Sequence, residues 1–213
     1  MTKTFALAAA LAATALTAPG AALAQGGFRA DLHAGLDKVA THQRTDVGTS
    51  GATTREKDEG VIYGGEIGYD LSLAGFTIGA YAGLAGSSVK ECPEIFTEVE
   101  VCAKTGRNIT AGVRAGVNLL PRVLLYAKGG YSNGQVKLEY IDHVSPANSF
   151  GVSDEMDGWH VGAGVQLDLV KNVYAKLEYV HTDYSDYRIR QGTATITGGV
   201  NRDNVMLGVG LRF

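Results

Sequence analysis

The sequence predicts an all-β fold in which eight antiparallel strands close into an up-and-down barrel. Apolar and polar residues alternate with a period of two, eight segments show this alternation, and short and long connections alternate between them. The pattern is clearest in Asp203–Phe213, which we expect to close the barrel. The unbroken apolar face of that segment carries Val205, Leu207, Val209, Leu211 and Phe213.

The eight predicted strands follow one another along the chain. They are Phe28–Asp37, Val61–Leu71, Phe76–Leu84, Ile109–Leu119, Val123–Asn133, Trp159–Leu169, Val173–Val180 and Asp203–Phe213. Segments of about ten residues are long enough for tilted strands to cross the hydrocarbon core of a membrane. An even number of strands would leave both ends of the barrel domain on one side of that membrane.

The connections between the predicted strands are short and long in strict alternation. The short turns are Ser72–Gly75, Leu120–Arg122 and Lys171–Asn172. The long connections are polar, lack periodicity and are predicted as loops: Ala40–Glu59, Ser87–Arg107, Gln135–Met156 and Asp183–Arg202. Within these four connections, only Gln135–Tyr140 is compatible with a continuation of the strand that precedes it. Brief turns on one side and long loops on the other are typical of outer-membrane barrels.

Residues 1–24 have the pattern of a secretory signal peptide. Lys3 precedes the apolar run Phe5–Leu16, Pro19 follows it, and Ala22-Leu23-Ala24 is a small-x-small cleavage site. The run is too short for a membrane helix, and a buried amphipathic helix is the alternative. We therefore expect an exported barrel domain, residues 25–213.

The composition argues against several other kinds of protein. The formal net charge of the chain is −3, which gives no basic stripe of the kind that nucleic-acid binding requires. No later segment approaches 18 consecutive apolar residues, so no spanning helix is predicted. The 29 glycines and 10 tyrosines are unusual for a mostly helical domain. No cofactor motif is recognised.

Cys92 and Cys102 lie close together in the second long connection. In an exported protein we expect them to form a disulfide that staples this loop. Free thiols are the alternative. A metal site is not expected, because no His or further Cys lies nearby at ligand spacing.

The distribution of glycine favours a membrane barrel over a soluble one. A soluble barrel would turn its apolar face inward and its polar face to water. Most strand glycines lie on the polar face, where small residues suit a narrow lumen and bulky aliphatic residues on the other face suit lipid. These glycines are Gly35, Gly64, Gly68, Gly79, Gly83, Gly112, Gly116, Gly130, Gly162, Gly164, Gly208 and Gly210.

Six charged residues are predicted at similar heights on the inward face. They are Asp31, Glu66, Arg114, Lys128, Lys176 and Glu178. Three acids and three bases can neutralise one another in an interior where unpaired charges are very costly, although the register of the pairs is not fixed by the sequence. We interpret them as a salt-bridge network that plugs the lumen. A small ion pathway is the alternative.

Aromatic residues at strand ends are candidates for the two membrane interfaces. Tyr69, Phe76 and Phe213 fall at the predicted periplasmic ends, while Tyr131 and Trp159 fall at the outer ends. Such positions suit the aromatic girdles of a membrane barrel. Simple packing of aromatics against one another is the alternative.

No catalytic set is predicted. The histidines on strands or their ends are His33, His160 and His181, and Ser132 and Ser185 lie near the outer rim. No GxSxG or HExxH motif occurs, and a nucleophile, base and acid cannot be placed together without knowing the register. We expect His160 to be an interior hydrogen-bonding group.

Three segments resemble the small outer-membrane β-barrel proteins of Gram-negative bacteria. They read GVIYGGEIGYDL, VYAKLEYVHTDY and VMLGVGLRF. The chain is similar to the OmpA-type transmembrane domain and to the opacity-protein and "porin family" barrels over Phe28–Phe213. The resemblance implies location in the outer membrane among its lipids. It also implies insertion by the barrel-assembly machinery, with Leu207, Val209, Leu211 and Phe213 as the recognition signal.

The resemblance implies a structural or surface-interaction role. Some outer-membrane barrels are enzymes, but no enzymatic activity is expected here, because the sequence offers no recognisable catalytic set. OmpA proper continues into a peptidoglycan-binding domain, for which this sequence gives no support. The long loops are expected to face the surroundings and to be available to an extracellular ligand. A low-conductance channel for small solutes or ions is the alternative function.

Overall fold

The computed structural model of the protein describes residues 26–47, 50–73, 75–91, 94–96, 99–142, 150–185, 187–191 and 194–213. The predicted signal peptide lies outside these ranges. Within them the chain forms eleven β-strands. They are β1 (Gly27–Val47), β2 (Ser50–Leu73), β3 (Phe76–Ser87), β4 (Lys90–Glu91), β5 (Glu94–Phe96), β6 (Val99–Leu120), β7 (Val123–Asp142), β8 (Phe150–Val170), β9 (Val173–Tyr184), β10 (Tyr187–Gln191) and β11 (Ala194–Arg212).

Eight of these strands form one closed antiparallel ring. The order around the ring is β1, β2, β3, β6, β7, β8, β9 and β11, and β11 pairs with β1 again. The closing pairs run from Arg29, opposite Arg212, to Val47, opposite Ala194. A closed ring leaves no sheet edge in lipid, where unpaired backbone groups are very costly. The predicted eight-stranded up-and-down barrel is confirmed.

Tight turns join the strands at one end of the barrel, as predicted. The β2–β3 turn lies between Leu73 and Phe76, and Gly75 within it has a φ of +90°, a conformation that side chains with a Cβ rarely adopt. Residues 121–122 connect β6 to β7, and residues 171–172 connect β8 to β9. These turns fix the register of each hairpin at the end opposite the long connections.

The prediction that the long connections are irregular loops is wrong, because paired strands run through much of them. β1 and β2 stay paired as far as Val47 and Ser50, and β6 and β7 as far as Val99 and Asp142. Strand residues therefore occur in all four predicted loops: Ala40–Glu59, Ser87–Arg107, Gln135–Met156 and Asp183–Arg202. Beyond the lipid neither face of a strand must be apolar, so the alternation is lost while backbone pairing continues.

The apolar faces of the strands point outward and the polar faces point into the barrel. Leu32 and Leu36 on β1 are 75% and 70% exposed, whereas Asp31, the residue before Leu32, is 4% exposed. So large an apolar exterior is suited to lipid rather than to water. No helix in the described ranges is long and apolar enough to cross a membrane.

The predicted interface aromatics all lie on this outward face. Phe76, Trp159 and Phe213 are more than half exposed, and Tyr69 and Tyr131 somewhat less. The ring of Phe28 packs edge-to-face against that of Tyr69, with centroids 5.1 Å apart. Leu207, Val209 and Leu211 also point outward along β11. The assignment of these aromatics to membrane interfaces and of β11 to assembly stays a prediction.

Candidate functional site: an ion ring in the barrel lumen

Three cations and three carboxylates form a closed ring of alternating charge across the lumen. Its nitrogen–oxygen distances are 2.6 Å for Arg29–Glu66, 2.6 Å for Glu66–Lys128, 2.9 Å for Lys128–Glu178, 3.5 Å for Glu178–Lys176, 2.8 Å for Lys176–Asp31 and 3.2 Å for Asp31–Arg29. We call these six residues the ion ring. No side chain in it is more than 5% exposed.

The ion ring connects opposite walls of the barrel. Arg29 and Asp31 lie on β1, Glu66 on the adjacent β2, Lys128 on β7, and the remaining two members on β9. β7 is opposite β1 in the order of the eight strands. The contacts that run from Arg29 through Glu66 to Lys128 therefore connect opposite sides of the lumen.

Glycine on a neighbouring strand makes room for the long side chains of the ring. Glu66 faces Gly83 across the β2–β3 pair, Lys128 faces Gly162, and Lys176 faces Gly208. A Cβ atom at Gly208 would lie 3.0 Å from Cε of Lys176. Small residues beside each charged residue thus allow the interior to be filled without overlap.

Arg114 is brought to the same region but is not a member of the ring. Its guanidinium group donates to both carboxylate oxygens of Asp70, with Nε at 3.0 Å from Oδ1. Asp70 also lies 3.4 Å from Nε of Arg29, and Gln166 accepts from Arg114 at 3.3 Å. Arg114 and Asp70 add one cation and one carboxylate, so the enlarged cluster still has as many acids as bases.

Two buried tyrosines donate hydrogen bonds to two of the three ring carboxylates. The hydroxyl of Tyr126 donates to Oε2 of Glu178 at 2.6 Å, and that of Tyr174 donates to Oδ2 of Asp31 at 2.9 Å. Charged groups in a low-dielectric interior are tolerated only when their remaining hydrogen-bonding positions are filled. The tyrosines supply those bonds and also occupy lumen volume.

A second buried ionic cluster lies further toward the extracellular end. Asp37 accepts from Nε and Nη2 of Arg202 at 2.7 and 2.6 Å, from Asn204 at 2.8 Å, and from the hydroxyl of Ser87. We call these four residues the seam cluster. Asp37 and Asn204 are directly opposite on β1 and β11, so the cluster fastens the seam where the barrel closes.

Ser132 and His160 lie together, but their setting does not resemble an accessible catalytic centre. Ser132 Oγ is 2.9 Å from His160 Nδ1, and the other ring nitrogen of His160 is hydrogen-bonded to the hydroxyl of Tyr81. Ser132 is 0% exposed and His160 is 2% exposed. A tyrosine stands where a catalytic acid would orient the histidine. These three residues form an interior hydrogen-bonded group.

The space left beside the ion ring is small. A cavity of about 40 Å³ is lined by Glu66, Lys128 and Glu178 of the ring and also by His160. This volume holds a few water molecules at most. Apolar side chains of Ile62, Val180 and Met206 pack together next to it on the inward face.

Ion pairs outside the lumen have a different character. Lys38 Nζ lies 2.8 Å from Oε1 of Glu59, and both side chains are well exposed. The hydrogen bond from Lys38 lowers the pKa of Glu59 below its usual range. Exposed pairs of this kind are screened by water and salt, so they contribute much less than buried pairs.

Several predictions fall on residues that the structure describes only in part. Cys92 lies outside the described residues, and for Cys102 only the backbone is described, opposite Glu139. The disulfide therefore stays a prediction. Within the described part of the chain, no group of three or more His, Cys, Asp or Glu side chains is arranged to hold a metal ion.

Sequence reasoning missed four important lumen residues: Arg29, Asp70, Asp37 and Arg202. Three of them lie on the predicted inward faces, and Arg202 lies just beyond a strand end. None is at the height along the barrel at which the six charged residues are predicted. A long guanidinium group reaches several ångströms along the barrel, so equal Cα height is too narrow a criterion. A better signal would have been every charged residue on the inward face that has a glycine opposite it, such as Arg29 and Gly68.

The sequence matches the family described as outer membrane protein beta-barrel domain over residues 5–213. The chain belongs to this family. Its relatives include a 22 kDa outer membrane protein of Rhizobium leguminosarum bv. viciae, 34% identical over 115 residues, which are 52% of this chain and 48% of that protein. A 25 kDa outer-membrane immunogenic protein of Brucella canis is 27% identical over 110 residues, with coverage of 52% and 48%.

The matched segment of this family member spans about half the length of those relatives. Among solved structures, Neisserial surface protein A is 13% identical, with a TM-score of 0.46 over 88% of this chain and 97% of that one. The curated relatives are named as outer membrane proteins and not as enzymes. This family member is an outer-membrane β-barrel protein of a Gram-negative bacterium.

Proposed function

We propose that this protein is a closed, non-conducting outer-membrane barrel that supports the cell envelope and presents its extracellular hairpins to the surroundings. The observation that carries the proposal is the ion ring, whose alternating contacts cross the lumen from β1 to β7. A hydrated ion could pass only if several of these buried pairs separated together. Separating a buried pair leaves uncompensated charges, which is strongly unfavourable.

The extracellular extensions support the interaction part of this role. β1 and β2 stay paired about ten residues beyond the apolar segments, and β6 and β7 extend similarly. Strands that leave the membrane provide a rigid platform on which side chains can contact a partner. Relatives named immunogenic outer-membrane proteins agree with a surface that is accessible from outside.

Conductance measurements on the purified full-length chain in planar lipid bilayers test the plug. We expect no sustained, reproducible current from the parent protein, and none from Glu59→Gln, which alters an exposed pair outside the lumen. A steady current that changes with Glu66→Gln or Lys128→Met would contradict the proposal. A heat-dependent shift in gel mobility identifies the folded barrel in each preparation.

A low-conductance channel is the second candidate, and one feature of the ion ring favours it. Lys176 lies within 4 Å of three carboxylates: Asp31 at 2.8 Å, Glu178 at 3.5 Å and Glu66 at 3.9 Å. A cation with three nearby acids can exchange partners while staying paired. A current from the parent protein at strong voltage that Lys176→Met abolishes or alters would favour this candidate over the permanent plug.

A further inference from the structure

Beyond the membrane the closed ring divides into two separate walls. β3 ends at Ser87, opposite Ile62, and β9 ends at Tyr184, opposite Gly158. β2 and β8 continue past these points. In the described ranges the first wall consists of β10, β11, β1 and β2, and the second wall of β4, β5, β6, β7 and β8.

The second wall ends in a strand whose outer edge is not paired with any other strand of the described ranges. Residues Phe150–Met156 of β8 pair with β7, but no described strand lies on their other side. The last hydrogen bond on that side runs from the backbone N–H of Ser185 to the carbonyl of Asp157, at 2.8 Å. A free edge of this length offers a row of backbone donors and acceptors to an added strand.

The free edges of the two walls differ in charge. The β2 edge, Ser50–Gly60, mixes basic and acidic residues, and such mixed charges are a usual protection against unwanted pairing. Phe150–Asp157 on β8 contains three acids and no Lys or Arg. Its side chains from Ser153 to Glu155 are exposed.

Each acid on the β8 edge has a different set of partners. Glu155 is bound by Arg107, and Asp157 accepts from Tyr131 and Asn133. Asp154 accepts only from the backbone N–H of Glu155, at 2.9 Å, and has no cationic partner among the described side chains. Its carboxylate is therefore available to a positive group on an incoming strand.

We propose that the edge Phe150–Met156 binds an extended, cationic segment of a partner protein by strand addition. Backbone hydrogen bonds would supply the affinity, and Asp154 would select basic side chains at alternate positions on its own face of the edge. Glu155, on the opposite face, would add to the negative charge of the edge. A second copy of this chain is disfavoured, because equivalent edges would bring the same acids together. The inference rests on the surface-interaction part of the proposed function and names the partner class for it.

The test uses the full-length barrel in detergent micelles and a synthetic peptide of about eight residues that alternates lysine with valine or threonine. Fluorescence anisotropy of the labelled peptide measures binding. We expect binding to the parent and a loss of about tenfold or more for Asp154→Lys/Glu155→Lys, since like charges then face each other. The matched control is Glu56→Lys/Asp58→Lys on the β2 edge, which should bind like the parent.

A second peptide separates strand addition from simple charge attraction. The same sequence with N-methyl groups at alternate positions keeps its charges but cannot pair as a strand. We expect it to bind weakly, and we expect only the unmodified peptide to slow amide hydrogen exchange in residues 150–156.

Three outcomes would overturn the inference: no binding by the unmodified peptide, equal binding by the N-methylated peptide, or an equal loss in the β2-edge control. Gel mobility establishes that each variant is folded. Conductance is recorded on the same preparations without peptide, so failure of the plug is distinguishable from failure of the docking edge.

Discussion

The ion ring and the seam cluster are built from the same chemistry but connect different parts of the barrel. In the seam cluster, Asp37 receives four hydrogen bonds, and its cation, Arg202, comes from the adjacent strand. In the ion ring each charge is shared between at least two opposite charges, and the members come from opposite walls. The comparison indicates that the seam cluster connects the two strands that close the barrel, whereas the ion ring connects distant strands across the lumen.

The largest effect is expected from removing one carboxylate of the ion ring. Glu66→Ala leaves Arg29 and Lys128 without their nearest acid, and the free energy of unfolding should fall by about 3–5 kcal/mol. Urea unfolding in detergent, followed through Trp159, the single tryptophan, measures it. The double variant Glu66→Ala/Lys128→Met removes one acid and one base and should recover part of the loss. Losses that simply add would show that the ring members are not coupled.

A smaller effect is expected when the seam cluster loses one donor. Asn204→Leu removes the 2.8 Å hydrogen bond to Asp37 but leaves both bonds from Arg202. The free energy of unfolding should fall by about 1.5–3 kcal/mol in the same urea assay. The variant should still give no current in planar bilayers. A new conductance in this variant would mean that the seam cluster, too, takes part in closing the lumen.

Glycines beside the ring should matter more than glycines on the lipid face. A Cβ at Gly164 would lie 2.6 Å from the hydroxyl of Tyr126, which donates to Glu178. Gly164→Ala should therefore cost about 1–3 kcal/mol through overpacking. Gly129 lies on the outward face of β7, and a Cβ atom there would be 3.4 Å from its nearest neighbouring atom. Gly129→Ala is therefore the matched control. Equal losses in the two variants would contradict this account.

The smallest effect belongs to the exposed pair of Lys38 and Glu59. Lys38 holds the pKa of Glu59 below its usual range, so any stabilisation is complete above the unfolded-state pKa and is lost as the pH falls through the folded-state pKa. In Lys38→Met the pKa of Glu59 should rise toward its ordinary value, as measured by carbon NMR of the side-chain carboxyl. Stability at neutral pH should stay within error of the parent. Any marked loss there would show that the pair is not merely a surface contact.

The membrane-spanning fold could be predicted because lipid imposes a simple rule. Every second residue must be apolar where a strand meets hydrocarbon. This rule predicts the eight segments, such as Phe28–Asp37, and shows which face of each points inward. Beyond the lipid the rule no longer applies, so the sequence pattern predicts a loop where β1 in fact continues, paired, through Thr41 and Thr45. Backbone hydrogen bonding alone leaves no trace in the pattern of side chains.

The lumen could be predicted only to the level of its composition. Period-two faces placed Asp31, Glu66 and Lys128 inside, and electroneutrality suggested that they meet. The order of contacts depends on how far each strand slides past its neighbour, which sets Asp31 opposite Glu66 and Gly210. That displacement is a collective property of the closed ring, and short sequence patterns do not contain it.

The seam between β1 and β11 has a consequence for how long the folded protein lasts. Its pairing runs without interruption from Arg29 to Val47, well past the apolar segment. Within the membrane, breaking one backbone pair of the seam exposes amide groups to hydrocarbon, so the pair should re-form quickly. Irreversible unfolding therefore requires many pairs to separate together. Once inserted, the barrel should persist because it unfolds slowly. A kinetic barrier should therefore govern its lifetime in the envelope.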